Sequence, residues 1–236
     1  MAGLHYPTSL ADDVVRLRPW ADGDLGCVEQ AARDPRIVEA TSVPADYTRE
    51  AGLAFVRRQH ERLTAGQGWA LAVADHETDE ALGFAGLMLR PQPGVAGIGY
   101  WVVPRARGRG LAVRAVGLLT GWALTSLVRV EAWVEPDNAP SRRVLEANGF
   151  EREGLLRSFL VLGTRRVDVL VYSRLRGGGQ VPGAAADVDR DLLTAVGGGE
   201  DGRPGAAPPH RRAPQAQQQH GDHRQEGDAE RGGRAQ

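Results

Sequence analysis

Residues 103–112 read VPRARGRGLA. They follow the apolar run GIGYWVV and precede LAVRAVGLLTGWALTSL, in which Leu111, Ala115, Leu118, Leu119 and Trp122 recur on one helical face. A strand must therefore turn into a helix within a few residues, and Gly108 and Gly110 fall where that helix starts. The first turn of a helix leaves backbone N–H groups without partners, and the aligned peptide dipoles add partial positive charge there. Glycines carry no Cβ, so an anion can come close to that backbone. Arg105, Arg107 and Arg109 add mobile positive charge. The corner reads either as a pyrophosphate cradle or as a plain tight turn with solvated arginines.

Two familiar nucleotide loops do not fit it. A Walker A loop needs a lysine, and all 29 basic residues of this chain are arginine. The dinucleotide fingerprint needs a third small residue at the position of Val113, and its acidic ribose partner at a strand end, whereas Glu131 lies inside the strand VRVEAWVE.

On either side of the corner, strand-like and helix-like segments alternate. DVVRLRPW is a short alternating strand, ADGDLGCVEQAARDP a helix that starts near Asp22 and stops before Pro35. YTREAGLAFVRRQHERLTAG is a second helix capped by Thr48, with Leu53, Phe55, Val56 and Leu63 recurring along it. GWALAVAD, ALGFAGLML and VAGIGYWVV are strands, the first two joined by a hairpin at HETDE. After VRVEAWVE comes DNAPSRRVLEANGF, a helix with Asn138 or Asp137 as cap, Pro140 in the first turn and Gly149 at the end. Two strands joined at Gly163–Thr164 close the pattern, which is that of a mixed α/β domain.

Composition changes after Leu175. No aromatic residue follows Tyr172, and Gly, Pro, Gln and mixed charges dominate, so residues 177–236 are predicted to be a disordered low-complexity tail with at most a transient helix at AADVDRDLLTAV. Residues 1–9 are expected to be a flexible N-terminus and 10–176 the domain. His210, His220 and His223 of the tail match no compact ligand pattern, and no metal is expected. A net charge of -1 gives no general attraction to nucleic acid or an anionic membrane. Cys27 is the sole cysteine, which fits a reducing compartment, and neither a signal peptide nor an apolar run long enough to span a bilayer is evident. A cytoplasmic protein is the expectation, as a monomer or homodimer.

The order Arg105-x-x-Gly108-x-Gly110, after an apolar strand and before a helix, resembles the acetyl-CoA motif of the GNAT superfamily of N-acyltransferases. VEPDNAPSRRVLEANGF resembles a later motif of that superfamily, and the pair together resembles the branch of ribosomal-protein N-terminal acetyltransferases of the RimJ/RimL type. The resemblance implies a twisted mixed sheet splayed between the strands of Ile98–Val103 and Val128–Val134. Acetyl-CoA would lie in the V, with its pyrophosphate on the amides of Arg107, Gly108, Arg109, Gly110, Leu111 and Ala112. Its pantetheine would pair with the strand edge at Val102 and Val103 and bond Asn138, while Arg142 and Arg143 reach toward phosphate.

The resemblance also implies direct attack by an amine, without an acyl-enzyme. Backbone N–H groups near Val102 and Val103 would form the oxyanion hole. The tyrosine that many members place in the later helix is Leu145 here; Ser141 is the alternative partner for the leaving thiolate, or a local helix cap. The glutamate common in related chains is Gly97, so Glu131, and less so His60, is the candidate base, and a low-pKa α-amine is the expected substrate. Tyr100 and Trp101 are expected to line the acceptor pocket. The expected activity is acetyl transfer from acetyl-CoA to a primary amine, foremost a peptide or protein N-terminus. A small-molecule amine acetyltransferase and a non-catalytic acyl-CoA sensor are the alternatives.

Overall fold

The structure, a computed structural model, describes residues 10–179. Its elements run β1 (Leu10–Ala11), β2 (Val15–Pro19), α1 (Leu25–Ala32), α2 (Pro35–Ala40), α3 (Arg49–Thr64), β3 (Gly68–Asp75), β4 (Ala81–Leu89), β5 (Val95–Val102), α4 (Leu111–Ala123), β6 (Arg129–Val134), α5 (Ala139–Ala147), β7 (Glu151–Leu162) and β8 (Arg165–Leu175). The expected flexible N-terminus, the three tail histidines, the AADVDRDLLTAV segment and the rest of the tail expected to be disordered, beyond a 3-10 turn at Arg176–Gly179, lie outside the described residues.

The eight strands form one sheet in the order β1-β2-β3-β4-β5-β6-β8-β7. Every neighbouring pair is antiparallel except β5 and β6. Parallel neighbours need a crossover, and α4 supplies it. Seven successive buried residues in β3 show that the sheet is covered on both faces there. On one face Trp69 of β3 meets Trp122 of α4 edge-on at 5.0 Å. On the other, Trp20 meets Phe55 of α3 at 5.2 Å and Trp101 of β5 at 6.0 Å. Leu111, Ala115 and Leu119 of the apolar face read from the sequence are fully buried, joined by Val116, with Leu118 and Trp122 half-buried at its margin.

The β5–β6 ladder is short. Its register holds only Val95↔Arg129, Ala96↔Val130 and Gly97↔Glu131. Beyond Gly97 the two strands continue to Val102 and Val134, each held by its other neighbour: β5 stays in register with β4 up to Gly83↔Val102, and β6 with β8 up to Val134↔Leu170. Strand twist turns that divergence into a V. The splay implied by the resemblance is present, between the strands expected.

Three local expectations change. The first helix stops before Pro35 as read, but Pro35 then opens a second helix that the reading lacked, with the Asp34 side chain accepting from the Arg36 N–H at 2.9 Å. Proline suits that position because the N–H it lacks has no helical partner there. Leu63 is exposed at the end of α3 while Phe55 and Val56 carry the packing. A two-residue strand at Leu10–Ala11 pairs with β2 before the first strand read from the sequence.

Candidate active site

The glycine corner is built as the sequence suggests. A 3-10 turn at Pro104–Ala106 leads into Gly108 (φ 77°) and Gly110 (φ 76°), both left-handed, and Gly110 is the N-cap of α4. The ladder of α4 begins with the Arg114 N–H to the Gly110 carbonyl at 3.1 Å, which leaves the amides before it without a helical acceptor. A Cβ placed on Gly108 or Gly110 would meet no protein atom within 4 Å. The space above these amides is open, as an anion cradle requires.

The arginines of the corner are not mobile charge, which corrects the sequence reading. Arg105 donates to Gln30 at 2.5 Å and to Glu80 at 2.6 Å. Arg107 pairs with Asp34 at 2.5 Å and donates through Nε to the Val102 carbonyl at 3.0 Å. Arg109 lies 3.5 Å from Asp75. Burial alone raises the pKa of Asp34, but bonds from Arg107 and the Arg36 N–H outweigh it and hold the carboxyl below its usual value. These pairs fasten the corner to α1, α2 and the β3–β4 hairpin.

Along β5 the Val103 N–H donates to the Leu82 carbonyl at 2.9 Å. It is therefore spent on β4, and the expectation that Val103 offers its N–H to a ligand is corrected. Main-chain groups alternate sides along a strand. Those of Val102 and Tyr100 consequently face β6, where the ladder has ended. Tyr100 was read only as a side chain; the two-residue period of the strand was the signal for its backbone.

A cavity of about 550 Å³ fills the V, lined by Ile98–Trp101 of β5 and Ala132–Val134 of β6. Phe84, Tyr100, Trp101 and Trp133 give it an aromatic wall, and Asn138 and Ser141 border it from the start of α5. The sequence-predicted Tyr100, Trp101, Asn138 and Ser141 thus meet in one place. Asn138 caps α5, its Oδ1 accepting the Ser141 N–H at 3.2 Å. The Ser141 hydroxyl is not a cap: its partner is the Tyr100 hydroxyl at 2.8 Å. Leu145 is fully buried in the core. Arg142 donates to the Pro136 carbonyl at 2.9 Å.

Glu131 is not among the residues lining this cavity. Its carboxylate accepts from Arg90 Nε at 2.9 Å and lies 3.6 Å from Arg129 Nε. The Arg90 guanidinium sits over Gly97, where a Cβ would come 2.8 Å from Cζ, and it stacks on Trp133 with Cζ 4.1 Å from the ring centroid. The absence of a side chain at Gly97 is what admits Arg90, a link that sequence spacing does not reveal. His60 bonds the Trp20 carbonyl at 2.6 Å, and burial pushes the Cys27 thiol far up, so neither is placed or tuned as a base or nucleophile here.

Residues 15–151 match the family model described as acetyltransferase (GNAT) domain. An uncharacterized N-acetyltransferase of Bacillus licheniformis, p20, is 32% identical over 158 residues, 66% of this chain and 88% of that protein. Among solved structures, Mycobacterium smegmatis RimJ in complex with CoA-disulfide has a TM-score of 0.61 at 24% identity, over 68% of this chain and 81% of that one. RimL, a ribosomal L7/L12 alpha-N-protein acetyltransferase in complex with coenzyme A, has a TM-score of 0.63 at 17% identity, over 71% and 97% respectively. At these identities the two structures share the fold.

Proposed function

The chain belongs to the GNAT acetyltransferase family, and from that premise we propose that it transfers the acetyl group of acetyl-CoA to the α-amine of a peptide or protein N-terminus. The observation that carries the reading is the continuity of open cradle, splayed strand edge and aromatic cavity. The amides at Gly108–Ala112 suit a pyrophosphate. The edge of β5 offers the Tyr100 main-chain groups and the Val102 N–H to the pantetheine amides, the Val102 carbonyl being engaged by Arg107. The thioester then falls in the cavity beside Asn138 and Ser141. Donors from the β5 edge would meet the oxyanion as the amine attacks.

The nature of the acceptor follows from what the cavity lacks. Among the described residues its one lining carboxylate is Glu135, which lies 3.8 Å from Arg165. Glu131 lies outside the cavity lining, with its carboxylate held by Arg90 and facing Arg129. Without a dedicated base, an amine with a pKa near ~8 has a reactive neutral fraction at neutral pH, whereas a lysine amine near ~10.4 has almost none. The name of one fold neighbour, RimL, describes an alpha-N-protein acetyltransferase, an acceptor of this kind.

Release of free thiol from acetyl-CoA, measured against short N-terminal peptides, the same peptides N-blocked but carrying lysine, and small amines, tests this. Turnover confined to free N-termini is expected. Turnover confined to small amines or lysine side chains would overturn the acceptor, and tight acetyl-CoA binding with no turnover would replace the enzyme by a sensor.

A further inference from the structure

Tyr100 and Ser141 come from different elements, 41 residues apart, and meet on the cavity wall within the V. The Tyr100 hydroxyl lies 2.8 Å from Ser141 Oγ and 3.1 Å from the Ser141 carbonyl. Ser141 has no capping duty, because Asn138 already takes its N–H. A lone serine hydroxyl rotates among three wells and points anywhere. One whose oxygen accepts a fixed hydrogen bond keeps its own proton for another acceptor.

We propose that Tyr100 is a positioning residue for thiolate departure: its single hydroxyl proton lies within reach of both the Ser141 carbonyl and Ser141 Oγ, and as the thiolate leaves it turns to Oγ, which frees the Ser141 O–H from the Tyr100 oxygen and directs it at the sulfur of coenzyme A. The inference rests on the acetyl-CoA reading and adds a residue to it. The amine nitrogen bonds the carbonyl carbon, the C–S bond breaks, and its electron pair goes to sulfur. Ser141 donates to the sulfur anion, and the bond from Tyr100 polarises that donor further. The proton lost by the amine reaches sulfur through solvent, so the products are the amide and the free thiol. Tyr100 itself keeps its proton: burial pushes its pKa up to about 12, above the ordinary thiol value near ~8.5. Leu145, packed in the core, sends no group into the cavity from the next turn of α5.

The test needs no acceptor. The thiol pKa of coenzyme A bound to the full-length protein is read from thiolate ultraviolet absorbance in a pH titration. It is expected to fall by about one unit or more below the value of free coenzyme A measured in the same buffers, and Tyr100→Phe and Ser141→Ala should each return it toward that free value while leaving coenzyme A affinity within about twofold. Where an acceptor is found, Ser141→Ala should lower kcat by about 10- to 100-fold and Tyr100→Phe by about 5- to 10-fold, and Tyr100→Phe should cost nothing more in the Ser141→Ala background. A thiol pKa that neither variant moves, or losses that multiply in the double variant, would overturn the positioning role while acetyl-CoA binding stands. Failure of the wild-type chain to bind coenzyme A would instead overturn the acetyl-CoA reading, and this inference with it. Ser141→Ala, which removes only a single oxygen at a half-buried position, keeps the test usable if loss of the Tyr100 hydroxyl impairs folding.

Discussion

At the scale of single residues, three glycines do different work. Gly108 and Gly110 hold φ near 77° and leave open space beside them, so a side chain there strains the backbone and intrudes only on a ligand. Gly108→Val should lower stability by about 1–2 kcal/mol and acetyl-CoA affinity by more than about tenfold, measured by thermal melting and titration calorimetry. Unchanged affinity in a folded variant would remove the cradle. Gly97 instead makes room for Arg90, and through it Glu131 is held. Glu131→Gln leaves two guanidinium groups facing a neutral amide, and should cost about 1–3 kcal/mol. The acid limb of the activity–pH profile should keep its midpoint, whereas a true general base at Glu131 would take that limb with it when removed.

At the scale of elements, Asp34 shows how the glycine corner depends on a short helix beside it. It caps α2 through the Arg36 N–H and pairs with Arg107 of the corner. Asp34→Ala should destabilise by about 1–2 kcal/mol through the lost cap, a fall of several degrees in Tm, and weaken acetyl-CoA binding by a smaller factor than Gly108→Val. An affinity unaltered in that variant would mean that the corner is set by its own glycines alone. This helix was not legible in the sequence, because a proline after an apolar run reads equally as a stop and as a first helical residue. Longer elements were legible from their periodicity, and Thr48, Asn138 and Gly149 marked their ends as expected. The site was legible in parts. Local motifs carried the cradle and Ser141. The contacts of Arg90 with Gly97 and Trp133, and of Tyr100 with Ser141, depend on which strand faces which helix, and no local pattern encodes that.

At the scale of the whole molecule, folding and turnover should respond to acid in separate ranges. The Arg129 guanidinium, then the Ser173 hydroxyl, hold Glu153 down at about 2 against 4.5 for a free glutamate, while Asp12, Asp34 and Asp75 are also lowered. A carboxyl whose folded pKa is depressed contributes stability that is present above its unfolded value and is lost as pH falls toward its folded one. Tm should therefore stay level from neutrality down to about pH 5 and decline between about pH 4.5 and 2. Glu153→Gln should make that decline shallower, because the pair of Arg129 across β6 and β7 no longer titrates. Acetyl transfer to an α-amine, by contrast, requires the neutral nucleophile and should fall about tenfold per unit below about pH 8. At pH 6 the protein should thus be fully folded and nearly idle. Parallel melting and rate profiles over the same buffers check this, and an activity that holds level down to pH 5 would show that the protein supplies a base after all.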